Sequence, residues 1–329
     1  MKQKQTHLVV SCVALAALVA VSAFVARTGY GRQQQQGVQS ASASEASGLK
    51  PTAAVRERRA GETAEAPAVA NERAGASLFA AAAERNRLLK FELSWAFGGK
   101  QQRGWYLYTP LISRLLDADG EAAADGFADS LARWQKGAGL EPNGVLDGDT
   151  LYRMVSTWQG ARLKNKEYAT PDILLTAPVS DFYDASRPDA LRQVERETYA
   201  AYKRMVAAAA ADPASGLKAT AAGELAPEEK FLKIVSSFRS REHQAALRAQ
   251  SPGSGRAGLA VNSPHFTGRA LDLYVGGEPV ETKDANRALQ VQTPAYRWLV
   301  KNADRFGFRP YYYEPWHWEY VGAPGVASK

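Results

Sequence analysis

The sequence predicts an α+β fold for the C-terminal part of the chain, with a small helical domain before it. Apolar residues recur at helical spacing through much of residues 77–164. From Glu228 onwards the pattern is mixed. Residues 270–275 alternate apolar and polar side chains, which is typical of a strand with one buried face, whereas residues 294–306 have helical spacing. The aromatic-rich run at 311–320 is predicted to form strands.

Residues 1–30 are predicted to form a signal anchor or a signal peptide. Lys2 and Lys4 precede the run Leu8–Ala26, which carries no charge. This run approaches the roughly 20 residues that span a bilayer and is long for a cleaved signal, so we favour an anchor. Cleavage after the small residues at 21–23 is the alternative. Because lysines precede the span, the folded part is predicted to lie in the cell envelope, on the periplasmic or extracytoplasmic side of the membrane.

Composition excludes other classes of protein. The single cysteine, Cys12, rules out an intrachain disulfide, and the apolar run continues too far past it for a lipidation signal. The net charge of +7 is dispersed, and no basic helix, zinc-finger spacing or phosphate-binding loop accompanies it, so no nucleic-acid partner is predicted. Residues 31–76 combine a glutamine run with Ser, Ala and mixed charge, and they are predicted to be a disordered linker.

Residues 77–164 are predicted to form the helical domain, in which helical spacing predicts a first helix over 78–95. Residues 165–227 are predicted to form a connecting helical segment with one helix around 190–211. A helix over 127–136 is followed by a Gly/Pro turn and a second helix capped by Asp147 or Asp149. This pattern resembles the peptidoglycan-binding-like domain, with Trp-Gln, Gly-Leu, Asn-Gly-Val-Leu and Thr in that order. The resemblance implies the cell wall as a partner. A helical spacer that docks on the C-terminal domain is the alternative.

Two short segments near the C-terminus hold the residues of a candidate zinc site. His265 and Asp272 lie on either side of Gly268, which permits a sharp turn between them. With His317 they supply two imidazoles and one carboxylate, the ligand set of a catalytic zinc whose fourth position is open to water. Glu314 lies three residues before His317, and the proline between them interrupts strand alternation. Glu314 is therefore predicted to face the same cavity as the general base for the zinc-bound water.

Written out, the motifs are Ser263-x-His265-x-x-Gly268-x-Ala270-x-Asp272 and Glu314-x-x-His317. They resemble those of the metallo D-alanyl-D-alanine carboxypeptidases of the VanY/VanX type, and residues 236–244 are similar to a further motif of that family. The likeness covers about residues 228–322, and the domain is predicted to span 228–329. It implies the hedgehog/DD-peptidase-like fold, a small antiparallel sheet with packed helices. It also implies Zn²⁺ as cofactor, with His265, Asp272 and His317 as its ligands.

The resemblance implies roles for further residues. Arg239 would stabilise the developing oxyanion or the substrate carbonyl, and Ser263 and Gln244 would shape the substrate pocket. The chain departs from the family at Ser237, where glycine is usual, and at Phe238, where tyrosine is usual. The missing hydroxyl at Phe238 alters the expected substrate contacts but leaves the expected metal ligands unchanged.

The expected activity is removal of the terminal D-Ala from peptidoglycan stem peptides that end in D-Ala-D-Ala. An L,D-carboxypeptidase or a stem-peptide endopeptidase on the same fold is the first alternative. A non-catalytic wall-binding protein with a structural zinc is the second, and the presence of Glu314 argues against it. For a carboxypeptidase, a basic side chain should receive the terminal carboxylate of the substrate, and Arg269 or Arg241 could do so.

Overall fold

The structure, a computed structural model, describes residues 66–118, 125–250 and 262–322, all within one compact unit that spans Thr63–Lys329. The α-helices are α1 (Ala66–Glu92), α2 (Thr109–Leu116), α3 (Asp125–Gly137), α4 (Gly148–Gly160), α5 (Arg196–Ala210), α6 (Arg241–Gln250), α7 (Asp284–Gln290) and α8 (Pro294–Asn302). The β-strands are β1 (Ser94–Phe97), β2 (Lys100–Arg103), β3 (Leu174–Thr176), β4 (Gln193–Glu195), β5 (Ile234–Ser236), β6 (Ala270–Leu273), β7 (Phe308–Tyr311) and β8 (Glu314–Tyr320).

Only part of the N-terminal segment lies within the described residues, so the structure bears on only some of the predictions made for it. Within the described ranges no helix is long and apolar enough to cross a bilayer, and the predicted span Leu8–Ala26 lies outside those ranges. Helix α1 begins at Ala66, inside the segment predicted to be a disordered linker up to residue 76. The helix thus starts before the predicted linker boundary, in a stretch rich in alanine, the residue with the highest helix propensity.

The helical part is interrupted by a short hairpin that the sequence pattern did not reveal. The predicted helix over 78–95 ends at Glu92, and Trp95 lies on β1, which pairs with β2 in antiparallel register. Gly98 and Gly99 form the two-residue turn, and both have positive φ angles, 59° and 79°. A Gly-Gly pair suits this hairpin turn, since left-handed backbone is needed at both positions. Trp95 is buried in the aromatic core of the helical part.

The turn between α3 and α4 is held by a buried glutamine. Gln135 donates to the carbonyl of Val145 at 2.9 Å and accepts from the backbone N–H of Gly144 at 2.9 Å. Asp147 then caps α4 by accepting from the backbone N–H of Thr150 at 2.9 Å. The sequence allowed Asp147 or Asp149 as the helix cap, and Asp147 is the one used. Gln135 and Gly144, which belong to the motif, hold the turn in place through their hydrogen bond.

The α+β prediction is confirmed by a four-stranded antiparallel sheet of order β5-β6-β8-β7. One face carries apolar side chains from β6 and β8, including Leu271 and Trp318, and it packs on α5 and α8 in one core cluster. The opposite face carries Asp272 and His317. The alternating pattern predicted one buried face for this strand, and in the structure every residue of β6 is buried, so both faces are covered. The polar face is covered as well, by the segment that follows α4. In this segment the backbone N–H of Ala169 donates to the carbonyl of Phe266 at 2.8 Å.

The segment predicted as one helix over 190–211 contains two elements. Residues 193–195 form β4, which pairs with β3, and α5 begins only at Arg196. The side chain of Glu195 caps α5 by accepting from the backbone N–H of Thr198 at 2.8 Å, which marks the helix start.

The turn between β7 and β8 joins the two parts of the fold. Tyr312, at the tip of this hairpin, is 4% exposed and belongs to the aromatic core of the helical part. Its ring packs against Phe97 at 5.5 Å and Tyr108 at 5.7 Å between centroids. The helical part therefore shares its core with the strand pair whose second member begins at Glu314.

Candidate metal centre and active site

Three potential metal ligands meet on the polar face of the C-terminal sheet. His265 lies in the short 3-10 helix Pro264–Thr267, which is capped by Ser263. Asp272 on β6 and His317 on β8 are paired directly across the sheet. One ligand atom from each of the three side chains lies within 4.8 Å of the others, and all three residues are buried. The structure thus brings together the residues that the sequence motifs singled out.

Gly268 makes the turn that joins His265 to Asp272. Its φ is +69°, and a Cβ atom at this position would lie 2.8 Å from Cδ2 of Leu174 and 3.0 Å from the backbone nitrogen of Glu195. Both the left-handed backbone and the lack of space require glycine. The predicted sharp turn at Gly268 is confirmed.

His265 presents a lone pair to the centre of the group. Its Nδ1 lies 2.7 Å from the carbonyl oxygen of Ser237, which only accepts, so Nδ1 carries the proton. Its Nε2 lies 3.2 Å from Nη2 of Arg239, which only donates, so Nε2 is an acceptor. Burial and the charge of Arg239 lower the pKa of His265 to about 4, which agrees with a neutral ring. Neutral imidazole is the form that binds metal.

His317 is held between two carboxylates. Its Nδ1 lies 2.9 Å from Oδ1 of Asp272, and its Nε2 lies 3.1 Å from Oε1 of Glu319. Burial opposes protonation, but hydrogen bonding to Asp272 and Glu319 raises the pKa of His317 to about 9. If a cation replaces the proton on Nδ1, the Nε2–H group still donates to Glu319, and this kind of carboxylate partner orients metal-binding imidazoles.

Glu319 was not among the predicted site residues. It is fully buried, and its carboxylate accepts from the guanidinium of Arg162 and, at 3.0 Å, from the backbone N–H of Leu163. Burial alone would raise the pKa of Glu319, but hydrogen bonding to His317 and the contact with Arg162 lower it to about 2. The signal available in the sequence was strand alternation, since a residue two positions after His317 in a strand shares its face.

The residues present fit a metal ion. Nε2 of His265 and Oδ1 of Asp272 lie 3.3 Å apart. The pKa of Asp272 is well below its usual range because the charges and hydrogen bonds of its neighbours outweigh burial. Two unprotonated acceptors this close repel each other unless a cation lies between them. Two imidazole nitrogens with one carboxylate oxygen are a donor set that suits a divalent cation of intermediate softness.

Arg239 lies against this group of candidate ligands. Its Nη2 donates to Oδ2 of Asp272 at 2.7 Å, its Nε to Ser236 at 3.0 Å, and its Nη1 to Gln244 at 3.3 Å. Three fixed contacts on a planar guanidinium leave little rotational freedom. Arg239 is therefore a rigid positive charge beside the candidate ligands.

Glu314 is buried at the start of β8. Pairing between β7 and β8 is irregular here, because Tyr311 pairs with Glu314 although Pro310 pairs with Trp318. This irregularity surrounds Pro315 and interrupts strand alternation, as the sequence predicted. Burial raises the pKa of Glu314 to about 7, and the charges of His317 and Asp272 also act on it. A carboxyl group with a pKa near neutrality can both accept and return a proton at physiological pH.

The raised pKa of Glu314 predicts a pH-dependent stability change in the metal-free protein. The unfolded carboxyl ionises near 4.5 and the folded one near 7, so stability falls as the pH rises between these values. Above pH 7 the buried charge costs up to about 3 kcal/mol. Glu314→Gln should therefore raise the unfolding free energy by up to this amount at pH 8 and by clearly less at pH 5. Denaturant unfolding at both pH values measures this, and a pH-independent difference would contradict the shift.

The predicted pocket residues Ser263 and Gln244 both hold other site residues. The hydroxyl of Ser263 accepts from the backbone N–H of His265 at 3.3 Å, and the Gln244 side chain is buried and accepts from Arg239. Phe238, where the family usually has tyrosine, is 7% exposed and packs edge-on against Tyr168 at 5.5 Å.

The arginines considered for the substrate carboxylate occupy different surroundings. Arg269 places Nε 3.9 Å from the carboxylate of Glu195, the cap of α5. Arg241 is exposed and lies over the ring of Tyr168 at 5.2 Å. Arg187, which sequence reasoning missed, is half-buried, and burial together with the charge of Arg239 lowers its pKa. Its Nε donates to the carbonyl of Leu191 at 2.9 Å.

Comparison with protein families gives a match in the C-terminal part of the chain. Residues 191–323 match the family VanY, described as D-alanyl-D-alanine carboxypeptidase. The match begins before the predicted boundary at residue 228 and so includes α5. A comparison with curated proteins found no match. The matched segment contains the whole His–Asp–His group together with Arg239 and Glu314, so the C-terminal part of this chain is similar to VanY-type carboxypeptidases at the candidate site as well.

Proposed function

We propose that the protein is a zinc-dependent D-alanyl-D-alanine carboxypeptidase that acts on peptidoglycan stem peptides in the cell envelope. The observation that carries the proposal is a buried group of two imidazoles and one carboxylate with Glu314, whose pKa is about 7, within electrostatic reach. The match of residues 191–323 to the VanY family supports the same reaction. A purely structural metal site would have no use for a buried carboxyl group that titrates near neutrality.

Each residue of the candidate site would have a separate role in the reaction. His265, Asp272 and His317 would hold the ion, and zinc bound there would polarise the scissile carbonyl and make a water molecule more acidic. The Glu314 carboxylate would accept a proton from the attacking water and return it to the departing amine. Arg239, fixed by its neighbours, would donate hydrogen bonds to the carbonyl oxygen as negative charge develops on it.

Location and wall binding belong to the same proposal. The predicted span at Leu8–Ala26 would place the enzyme at the membrane, facing the wall. The helical part, residues 77–164, would contact peptidoglycan, in keeping with its resemblance to the peptidoglycan-binding-like domain. The Asn-Gly turn and the glutamine of that pattern are both present, and Gln135 accepts from the backbone N–H of Gly144 at 2.9 Å.

Mass spectrometry of a stem pentapeptide and a stem tetrapeptide tests the proposal. The full chain is incubated with each peptide, with and without a chelator, and the chelated sample is then given zinc again. Loss of one alanine from the pentapeptide alone, abolished by chelator and restored by zinc, is the expected result. Loss from the tetrapeptide would indicate L,D specificity. Cleavage of cross-linked wall alone would indicate an endopeptidase, and no cleavage of any substrate by zinc-loaded protein would favour the wall-binding alternative.

Arg187 is expected to bind the terminal carboxylate of the substrate. Its guanidinium is half-buried and interacts electrostatically with Asp272, whereas Arg269 is engaged by Glu195. Charge-assisted bonds to a carboxylate contribute about 1.5–3 kcal/mol, so Arg187→Gln should raise KM roughly 10- to 100-fold for a peptide acid. The matching peptide amide lacks the charge and should show little change. Steady-state kinetics on both peptides measures this, with Arg269→Gln as the rival candidate and Arg153→Gln, an exposed arginine on α4, as the control. An equal effect of Arg187→Gln on acid and amide would refute the assignment.

A further inference from the structure

We propose that Arg162 is a positioning residue for the metal centre, acting through Glu319 on the ring of His317. The helical part of the chain would then be a component of the active site in addition to any role in wall binding. This inference rests on the proposed function only in taking His317 as a metal ligand.

Arg162 follows the end of α4 and reaches across to the C-terminal sheet. Its side chain is 15% exposed, and its guanidinium forms an ion pair with Glu319, which is fully buried. The next residue, Leu163, donates its backbone N–H to the other carboxylate oxygen of Glu319 at 3.0 Å. The oxygen that meets Arg162 is Oε1, which also lies 3.1 Å from Nε2 of His317. One carboxylate oxygen therefore links the arginine to the imidazole.

A second contact runs in parallel. The guanidinium of Arg162 lies over the ring of Tyr311, 4.2 Å from its centroid. Tyr311 in turn meets the ring of His317 edge-on, with centroids 6.0 Å apart. Arg162 thus contacts Glu319 and Tyr311, two of the side chains that surround the His317 ring. Guanidinium can stack and bond in its plane at the same time, which an ammonium cannot do.

The burial of the Glu319 carboxylate explains why the positive charge of Arg162 is needed. The carboxylate of Glu319 faces the His317 Nε2 atom at 3.1 Å, and the burial of a carboxylate is costly unless a cationic side chain and hydrogen-bond donors accompany it. Among the described residues, the partners that the structure gives this carboxylate besides His317 both come from the segment after α4, Arg162 and Leu163. The VanY match begins at residue 191, so the matched segment contains Glu319 but not its partner Arg162. The contact is therefore a feature of this chain beyond the matched family segment.

The test uses the full chain and two probes, Zn²⁺ for affinity and Co²⁺ for its visible absorption spectrum. Arg162→Gln is expected to weaken zinc binding roughly 10- to 100-fold, as for other residues that orient metal ligands, and to change the cobalt spectrum. Arg162→Lys keeps the charge without the planar contacts and should lie between Arg162→Gln and wild type. Arg153→Gln, an exposed arginine on α4, is the matched control and should match wild type.

A double-variant cycle separates coupling from general stability. If Arg162 acts through Glu319, the Arg162→Gln/Glu319→Gln double variant should bind zinc no more weakly than Glu319→Gln alone. Additive losses would overturn the coupling. Wild-type zinc affinity and cobalt spectrum in Arg162→Gln, whatever its melting temperature, would overturn the proposal. Should Arg162→Gln fail to fold, Arg162→Lys decides by the same readouts. A wild-type chain that binds neither cation would overturn the proposed function as well, so the two failures are distinguishable.

Discussion

Glu314→Gln is expected to lower kcat/KM roughly 10²–10⁴-fold while the chain still binds one zinc ion with near wild-type affinity. The amide has almost the shape of the carboxyl group but cannot accept the proton of the attacking water. The loss should fall mainly on kcat, because the proton transfer occurs in the transition state and not in substrate binding. Steady-state kinetics on a D-Ala-D-Ala peptide, together with zinc titration, measures both quantities.

The control for this variant is Glu141→Gln, which replaces an exposed carboxylate in the helical part. It should leave both kinetics and zinc binding unchanged. A Glu314→Gln enzyme that retains wild-type kcat with zinc bound would remove Glu314 from the mechanism. The site would then need another base, and the pH dependence of stability described above would remain as an independent property of the buried carboxyl group.

Asp272→Asn is expected to lower zinc affinity by more than about 100-fold and to abolish chelator-sensitive hydrolysis. The carboxylate is the one anionic member of the candidate ligand group, and it faces both His317 and Arg239. In the metal-free protein it also neutralises Arg239, at 2.7 Å, inside the fold. Removing one partner of a buried ion pair leaves the other charge uncompensated, so the metal-free variant should lose about 3 kcal/mol of stability.

Two measurements check this expectation: zinc competition for affinity, and denaturant unfolding of the metal-free protein. Asp172→Asn, an exposed aspartate at the start of a short 3-10 helix, is the matched control and should show neither change. Wild-type zinc affinity in Asp272→Asn would exclude the carboxylate from the metal site. Lost affinity without destabilisation would mean that Arg239 finds another partner or solvent when Asp272 is gone.

The helical part illustrates the limits of periodicity. Helical spacing located α3 and α4, and the cap at Asp147 was one of two choices offered by the sequence. The same spacing carried the first helix too far, to Trp95, because an aromatic residue at a helical interval does not distinguish a helix from the hairpin that follows it. The Gly-Gly pair between β1 and β2 was the local signal that would have corrected the boundary.

The candidate metal ligands could be identified from sequence motifs, whereas the substrate-pocket residues could not. His265, Asp272 and His317 could be grouped in advance because metal ligation restricts residue type and spacing, and Gly268 showed where the chain turns. Arg269 could not be placed in this way. A surface arginine can reach several partners, and only the fold shows that Glu195 lies next to it.

The α+β class, the three candidate ligands and the glycine turn between two of them could be predicted from the amino-acid sequence, since these depend on local pattern and on side-chain chemistry. Three contacts became evident from the three-dimensional fold: Glu319 meets His317, Arg162 reaches Glu319, and Tyr312 lies in the core of the helical part. Each of these contacts joins elements that are distant in sequence or depends on which strand face is covered. Their partners are chosen by packing, and no periodicity along the chain encodes that choice.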